Sequence, residues 1–482
     1  MNIVELIRRE SRHAADKTAI VEGDRSITYG QLLDRIAALR EILTELNIGV
    51  GQRIAFRSSD GIDYVIGALA LLEAGAAVVP VADSLTQGEV LETIDRIQVN
   101  GILTHANLPR LAGDEDREKI DDIFFWQRRP GDAELDQRCA DLGAAFIRFS
   151  SGTTGESKGV TISHRSIVER TDAANRVLVI SDRDSILWVL GMSHHFVVSI
   201  LLFLRNAATI VVANQRFPSS VLEAAQRVRF TFIYGSPVHF YLLAVSSQVA
   251  PEAFANVRMA ISTSMKMSPE IFKLFSQKFG LTPSEAYGII EIGLPFINAQ
   301  PGESAMNTVG HILPDYQLRI ENPDHEGVGE VLIKGKGMFE AYFSPWRLRE
   351  QCLRDGWFDT GDLGRIDEQG RLCLQGRSKT VIVCAGMKIF PEEVEEVINS
   401  LPGVKESLVS GKEHAQFGQV PVAQVVIAAN AAEPEAIIQS LRGLCCQKLS
   451  SYKVPVEFRQ SQSLPKTVSG KLARSATQAT AT

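Results

Sequence analysis

Twelve residues, Phe149 to Val160, read FSSGTTGESKGV and contain three glycines, five hydroxyl residues and one lysine. A segment of this composition has almost nothing apolar to bury, so its use lies in its hydrogen-bond donors. Glycines let successive backbone N–H groups converge, hydroxyls add side-chain donors, and Lys158 adds charge. Together they make a cradle for an anion of phosphate type. The Walker A pattern does not fit, since it needs Gly before the lysine and Ser or Thr after it, where this chain has Ser157 and Gly159. A Gly/Ser linker is the plain alternative, but such linkers rarely carry Thr-Thr-Gly followed by a lysine.

Four later stretches carry further chemistry. In SEAYGIIEIG, Ser284 to Gly293, Glu291 stands among few other charges. Alone it is an ordinary solvated acid; beside a phosphate cradle it would suit Mg²⁺. In GWFDTGDLG, Gly356 to Gly364, Asp359 and Asp362 are expected in a glycine-bounded turn, where Asp commonly caps backbone groups. GRSKTVIVCAGMKIFPEEVE joins Arg377 to a strand and a second glycine turn at Gly386. LPKTVSGKLAR places Lys466 and Lys471 in a glycine-containing loop near the C-terminus, where a lysine by itself serves solubility.

The elements that must position these residues alternate in type. ITYGQLLDRIAALREILTEL predicts a helix, capped by Thr28 with Gln31 and apolar at Leu32, Leu33, Ile36, Leu39, Leu43 and Leu46. RIAF and AAVVPV predict strands around the helix YVIGALALLEAG. A second set follows the glycine-rich loop: ATIVVA, FTFIYG and VRMAIST as strands, and SPEIFKLFSQKFG as a helix started by Ser268-Pro269 and stopped at Gly280. This alternation predicts an α/β fold with largely parallel sheets. From about Pro314 the texture changes to a small β-rich subdomain, and after a boundary near Ser378 comes an α+β stretch whose helix begins at Pro391. The domains expected are residues 1–377, built of two βαβ-type subdomains plus the β-rich one, and residues 378–482.

A chain of 482 residues exceeds one compact core. Its net charge of −7 and the absence of basic runs argue against nucleic-acid binding. Six cysteines without a C-x-x-C pair fit a reducing cytoplasm. FVVSILLFL, Phe196 to Leu204, is half the length of a membrane span and reads as a buried helix, so no membrane insertion is expected.

In this order the five motifs resemble those of the adenylate-forming superfamily, which includes acyl- and aryl-CoA synthetases, peptide-synthetase adenylation domains and luciferases. The pattern is that of acid–CoA ligases in particular, and it runs from TYGQLLDRIAALREIL to LPKTVSGK. The resemblance implies ATP-dependent activation of a carboxylic acid to an acyl-adenylate with release of pyrophosphate, then transfer to the thiol of CoA. It implies that Ser150, Ser151, Gly152, Thr153, Thr154, Gly155 and Lys158 close over the phosphates. Tyr287 would lie against adenine, Glu291 would hold Mg²⁺, and Asp362 with Arg377 would bind the ribose. Lys471 would bridge the substrate carboxylate and the α-phosphate, Lys379 would be the hinge of a small domain that alternates its orientation, and Gly386 would line the thiol tunnel. His194 in LGMSHHF matches the histidine beside the acyl pocket, with Phe196, Ile200, Ser264 and Ala286 as further pocket residues; a buried histidine bonded to backbone is the plain alternative.

Several positions depart from the family pattern. Ser157 replaces the usual Pro, Ile290 the Thr that touches the α-phosphate, and Ala286 the Gly before the tyrosine; STSMKM carries Thr263, Ser264 and Met265 where small residues are usual. The bulkier residues imply a reshaped acyl pocket. No Asp occurs from Trp188 to Arg205 to bind an α-ammonium, so a plain aryl or aliphatic acid is expected as substrate rather than an amino acid. The phosphopantetheine of an acyl carrier protein is the alternative acceptor, using the same residues. A weakened binding or regulatory protein on the same fold is the third reading, opposed by the joint presence of Lys158, Glu291, Asp362, Arg377 and Lys471.

Overall fold

A computed structural model describes residues 2–83, 85–111, 113, 115–149, 158–299, 302, 306–384, 387–414, 417–429, 431, 434–466 and 472–474. Among the described residues the strands form four sheets. The first runs in the order Arg347–Leu348, Ala341–Phe343, Gly159–Ser163, Ala144–Phe149, Ala77–Val81, Arg53–Arg57, Gly101–His105, Phe124–Arg128, Glu118–Lys119. Its centre is parallel and its flanks antiparallel. The second runs Gly293–Ile297, Ser284–Ile289, Met259–Ser262, Phe232–Gly235, Ser185–Trp188, Thr209–Val212, Thr18–Glu22, Arg25–Thr28, parallel except at its ends. These are the two α/β units that the alternation of elements predicts.

The local signals act as expected. Thr28 and Gln31 form a reciprocal capping box at the start of helix Tyr29–Glu45. Helix Pro269–Phe279 is capped by the Ser268 hydroxyl and ends at Gly280, whose φ of 66° a residue with a side chain adopts only at a cost. Helix Ile62–Glu73 is apolar on every side and buried from Ile62 to Leu72, as a helix without a polar face must be.

The β-rich stretch is an antiparallel sheet, Tyr316–Glu321, Gly329–Gly335, Phe358–Ile366 and Leu372–Arg377. Asp359 and Asp362 therefore lie in a strand rather than in a turn, although Gly361 keeps a φ of 71° within it. After a short 3-10 turn, Ser378–Thr380, the chain enters another sheet built from Ile382–Cys384, Met387–Ile389, Val404–His414, Gly418–Ile427 and Glu457–Gln460. Helix Pro391–Asn399 packs on it through Val394 and Ile398. No helix among the described residues is long and apolar enough to cross a membrane.

Candidate active site

A cleft of about 1800 Å³ opens between the large sheets, the β-rich sheet and helix Pro391–Asn399. Lys158, His194, Ser264, Ala286, Tyr287, Glu291, Asp362, Arg377 and Lys379 all line it. Residues brought from positions 158 to 379 thus share one cavity.

Pairing between Phe358–Ile366 and Leu372–Arg377 sets Asp362 directly opposite Arg377. The Arg377 Nε donates to Asp362 Oδ1 at 3.1 Å, and the Tyr287 hydroxyl donates to Oδ2. Thr360 Oγ1 accepts from the Asp362 amide at 3.1 Å and steadies the bend at Gly361. Burial and the adjacent Asp362 charge push the Tyr287 phenol well up, so it stays a donor. A carboxylate held on both oxygens by a phenol and a guanidinium is pre-aimed into the cleft.

Glu291 sits in the tight connection between Ser284–Ile289 and Gly293–Ile297. Its backbone is clamped: Arg170 donates to the carbonyls of Ile290 at 2.8 Å and Glu291 at 3.0 Å, and to that of Gly337, while the Phe339 amide donates to the Glu291 carbonyl at 2.7 Å. Its side chain accepts from the Tyr342 hydroxyl at 3.0 Å, and burial raises its pKa. The Lys158 ammonium lies 4.9 Å from the centre of the same Tyr342 ring. One aromatic residue therefore spaces a cation and a carboxylate across the cleft. Tyr342 carries no motif of its own; its place depends on strand Ala341–Phe343 pairing with Gly159–Ser163.

The segment carrying His194 is tied at its start by Asp60, which accepts from the Met192 amide at 2.9 Å and from Asn214. Burial pushes the Asp60 carboxyl up to about 7. His194 Nδ1 is 3.0 Å from the Ser193 hydroxyl, and burial, reinforced by the Arg148 charge, lowers its pKa to about 4. It is neutral at pH 7. His195, which sequence reasoning passed over, also lines the cleft, with Nε2 3.5 Å from the Ser264 hydroxyl.

Phe196 and Ile200 correct the expectation. They are 1% and 0% exposed and do not line the cleft; Phe196 packs on Tyr64 and Phe146 instead. Val197, Val198 and Ser199 of the π-helical turn Phe196–Ile200 take the cleft wall. Because FVVSILLFL is apolar on nearly every side, its pattern does not say which stripe faces the cavity.

Ser150, Ser151, Gly152, Thr153, Thr154, Gly155, Gly386 and Lys471 lie outside the described residues. Flanking Lys471, Lys466 and Leu472 pair across an antiparallel bridge, and Lys466 lines the cleft while its ammonium meets Glu406 at 2.7 Å. Arg148, also in the cleft wall, belongs to no motif that the sequence singled out.

The donor set fits one Mg²⁺ ion bound through a nucleotide. Glu291 would supply a single carboxylate, and no group of three or more His, Cys, Asp or Glu is assembled among the described residues. Mg²⁺ characteristically takes one or two carboxylates and completes its shell with phosphate oxygens and water.

Comparison with known proteins gives the same outline. Residues 7–343 match a family model described as AMP-binding enzyme, and residues 393–471 one described as AMP-binding enzyme C-terminal domain. A 3-(7a-methyl-1,5-dioxo-octahydro-1H-inden-4-yl)propanoyl:CoA ligase of Rhodococcus jostii (strain RHA1) is 27% identical, covering 97% of this chain and 96% of that protein. A 2-succinylbenzoate–CoA ligase of Bacillus cereus (strain ATCC 10987 / NRS 248) is 27% identical over 95% of each. Among solved structures, the o-succinylbenzoate CoA synthetase of Bacillus subtilis in complex with its acyl-adenylate intermediate superimposes with a TM-score of 0.83 at 23% identity, covering 98% of this chain and 97% of that one.

Proposed function

Given that the chain belongs to the AMP-binding enzyme family, we propose that it is an acid–thiol ligase that activates a carboxylic acid with ATP and passes the acyl group to CoA. In the first step a carboxylate oxygen attacks the α-phosphorus, the bond to the bridging oxygen breaks, and pyrophosphate leaves with the electron pair. In the second, a thiolate sulfur attacks the acyl carbon and AMP leaves.

The observation that carries this reading is the Tyr287–Asp362–Arg377 cluster facing the same cavity as Lys158 and Glu291. Asp362 receives the ribose hydroxyls, and adenine lies along Tyr287. Lys158 and the preceding Ser150–Gly155 segment hold the outer phosphates. Glu291 takes Mg²⁺, which when bound offsets the phosphate charge that repels an incoming carboxylate. The neutral His194 lines the acyl end with Ser264 and Ala286. Lys471 supplies the cation between the two reacting anions, the short turn at Ser378–Thr380 is the joint between residues 1–377 and 378–482 with Lys379 as its pivot, and Gly386 leaves room for the pantetheine arm. The reading places the enzyme in the cytoplasm, where ATP, Mg²⁺ and CoA occur together.

The test is a panel of aryl and aliphatic acids with Mg-ATP, measuring pyrophosphate alone, with CoA, and with a pantetheinylated carrier protein. Acid-dependent pyrophosphate release and an acyl-CoA product by mass spectrometry are expected. Acyl transfer to the carrier protein but not to CoA would move the acceptor assignment. No release with any acid would remove the ligase reading.

A further inference from the structure

Strand Ala144–Phe149 buries Ala144, Ala145, Phe146 and Ile147 and then presents Arg148 to the cleft. In the antiparallel ladders Arg148 stands opposite Val160, and Val160 opposite Tyr342. Directly opposed residues point to the same face, so Arg148, Val160 and Tyr342 form one row. At the far end of that row Tyr342 bonds to Glu291. Two residues before Arg148, on the same face, Phe146 packs against Phe196. Arg148 thus lies between the carboxylate end of the cavity and the His194 end, and its titratable neighbours are Tyr64, Glu291, Arg170 and His194.

Three arginines of the core are each held by several partners. Arg53 bonds to Asp136 at 2.7 Å and to the carbonyls of Ile97 and Gln98. Arg170 takes three carbonyls, and Arg205 meets both Glu10 and Asp172 at 2.9 Å. Beyond its strand pairing, the Arg148 guanidinium makes no hydrogen bond or ion pair with the described residues. Desolvation outweighs the attraction of Tyr64 and Glu291 and pulls its pKa down to about 10. Arg148 is half-buried in the cleft wall, so its guanidinium N–H groups face the cavity, where an anion that enters it can accept from them.

We propose that Arg148 binds an oxyanion of the bound reactants, at the point where the acid meets the nucleotide. This rests on the ligase reading above. The shared chemistry is a planar fork of N–H donors on two oxygens, and the oxygens come either from the nucleotide's α-phosphate or from a carboxylate of the acid.

Arg148→Met keeps length and suits the apolar surroundings; Arg148→Lys keeps charge without the fork. Free Arg148→Met is expected to melt close to the wild-type temperature, since the guanidinium has no hydrogen bond within the fold to lose. AMP and adenosine titrations on the protein alone then separate the sources. If the α-phosphate is the partner, Arg148→Met binds AMP about 30-fold or more weakly with adenosine unchanged. If a carboxylate is the partner, AMP affinity holds and KM for the acid rises by a similar factor in the pyrophosphate assay, with Arg148→Lys recovering part of the loss. The proposal is overturned if Arg148→Met melts several degrees lower while AMP affinity and acid KM are unchanged, because the arginine would then be structural. Wild-type inactivity with every acid would defeat the ligase reading separately, since the melting and AMP measurements need no turnover.

Discussion

Replacing Asp362 by asparagine isolates one oxygen of the candidate ribose site. In the wild type Oδ1 faces the Arg377 Nε at 3.1 Å and Oδ2 faces the Tyr287 hydroxyl. An asparagine amide cannot turn its NH₂ toward Arg377, which is also a donor, so the oxygen must stay on that side. The NH₂ then faces Tyr287, whose hydroxyl can rotate to accept. The network survives, but one of the two acceptors presented to the ribose is lost. A hydrogen bond to a charged group is worth about 1.5–3 kcal/mol, so Kd for AMP should rise by roughly 10- to 150-fold. Calorimetric titration of wild type and Asp362→Asn with AMP, repeated with 2′,3′-dideoxy-AMP, measures this. Without ribose hydroxyls the penalty of the substitution should shrink to within about threefold. An unchanged AMP affinity, or an equal penalty for both nucleotides, would refute the assignment of Asp362 to the ribose.

Three more outcomes follow from the same reading. Lys471→Ala should slow adenylate formation by about 10²–10³-fold and spare thioester formation from pre-made acyl-adenylate; equal loss of both half-reactions would count against it. Lys379→Pro fixes φ near −65° at the proposed pivot, so thiol transfer should fall much further than pyrophosphate release, and unimpaired transfer would move the hinge elsewhere. His194 binds its proton near pH 4 when folded and near 6.5 when unfolded. The unfolded chain therefore holds the extra proton between those values, and the contribution of His194 to stability falls as pH drops through that window. His194→Asn should gain on wild type by on the order of 2 kcal/mol between pH 7 and pH 4.5, read from paired unfolding curves; a pH-independent difference would mean the histidine is not buried as described.

Much of the candidate site was legible because its residues sit in short stretches whose composition has no structural use. A carboxylate between glycines, as at Asp362, or a lysine behind Thr-Thr-Gly, as at Lys158, is conspicuous without any fold. Tyr342, Asp60, His195 and Arg148 were not legible for the opposite reason. Each lies in an ordinary stretch of strand, loop or helix, and only its neighbours in space give it work. Phe196 and Ile200 were misplaced because periodicity tells a face only when the opposite face is polar.

The sequence by itself determined what depends on neighbours a few residues away: the Thr28–Gln31 capping box, the helix between Ser268 and Gly280 and the alternation of strand and helix, together with the residue types at the proposed phosphate, ribose and metal positions. Tertiary structure alone decided which strands lie together. Thr18–Glu22 and Arg25–Thr28 leave the N-terminal unit to extend the second sheet beside Thr209–Val212. Ala341–Phe343 returns across some 180 positions of sequence to pair with Gly159–Ser163, bringing Tyr342 to Lys158 and Glu291 and setting it in one row with Arg148. The physical reason is that every strand exposes the same backbone donors and acceptors. Partner and register are therefore chosen by which side chains can be buried together, and that is a property of the assembled core.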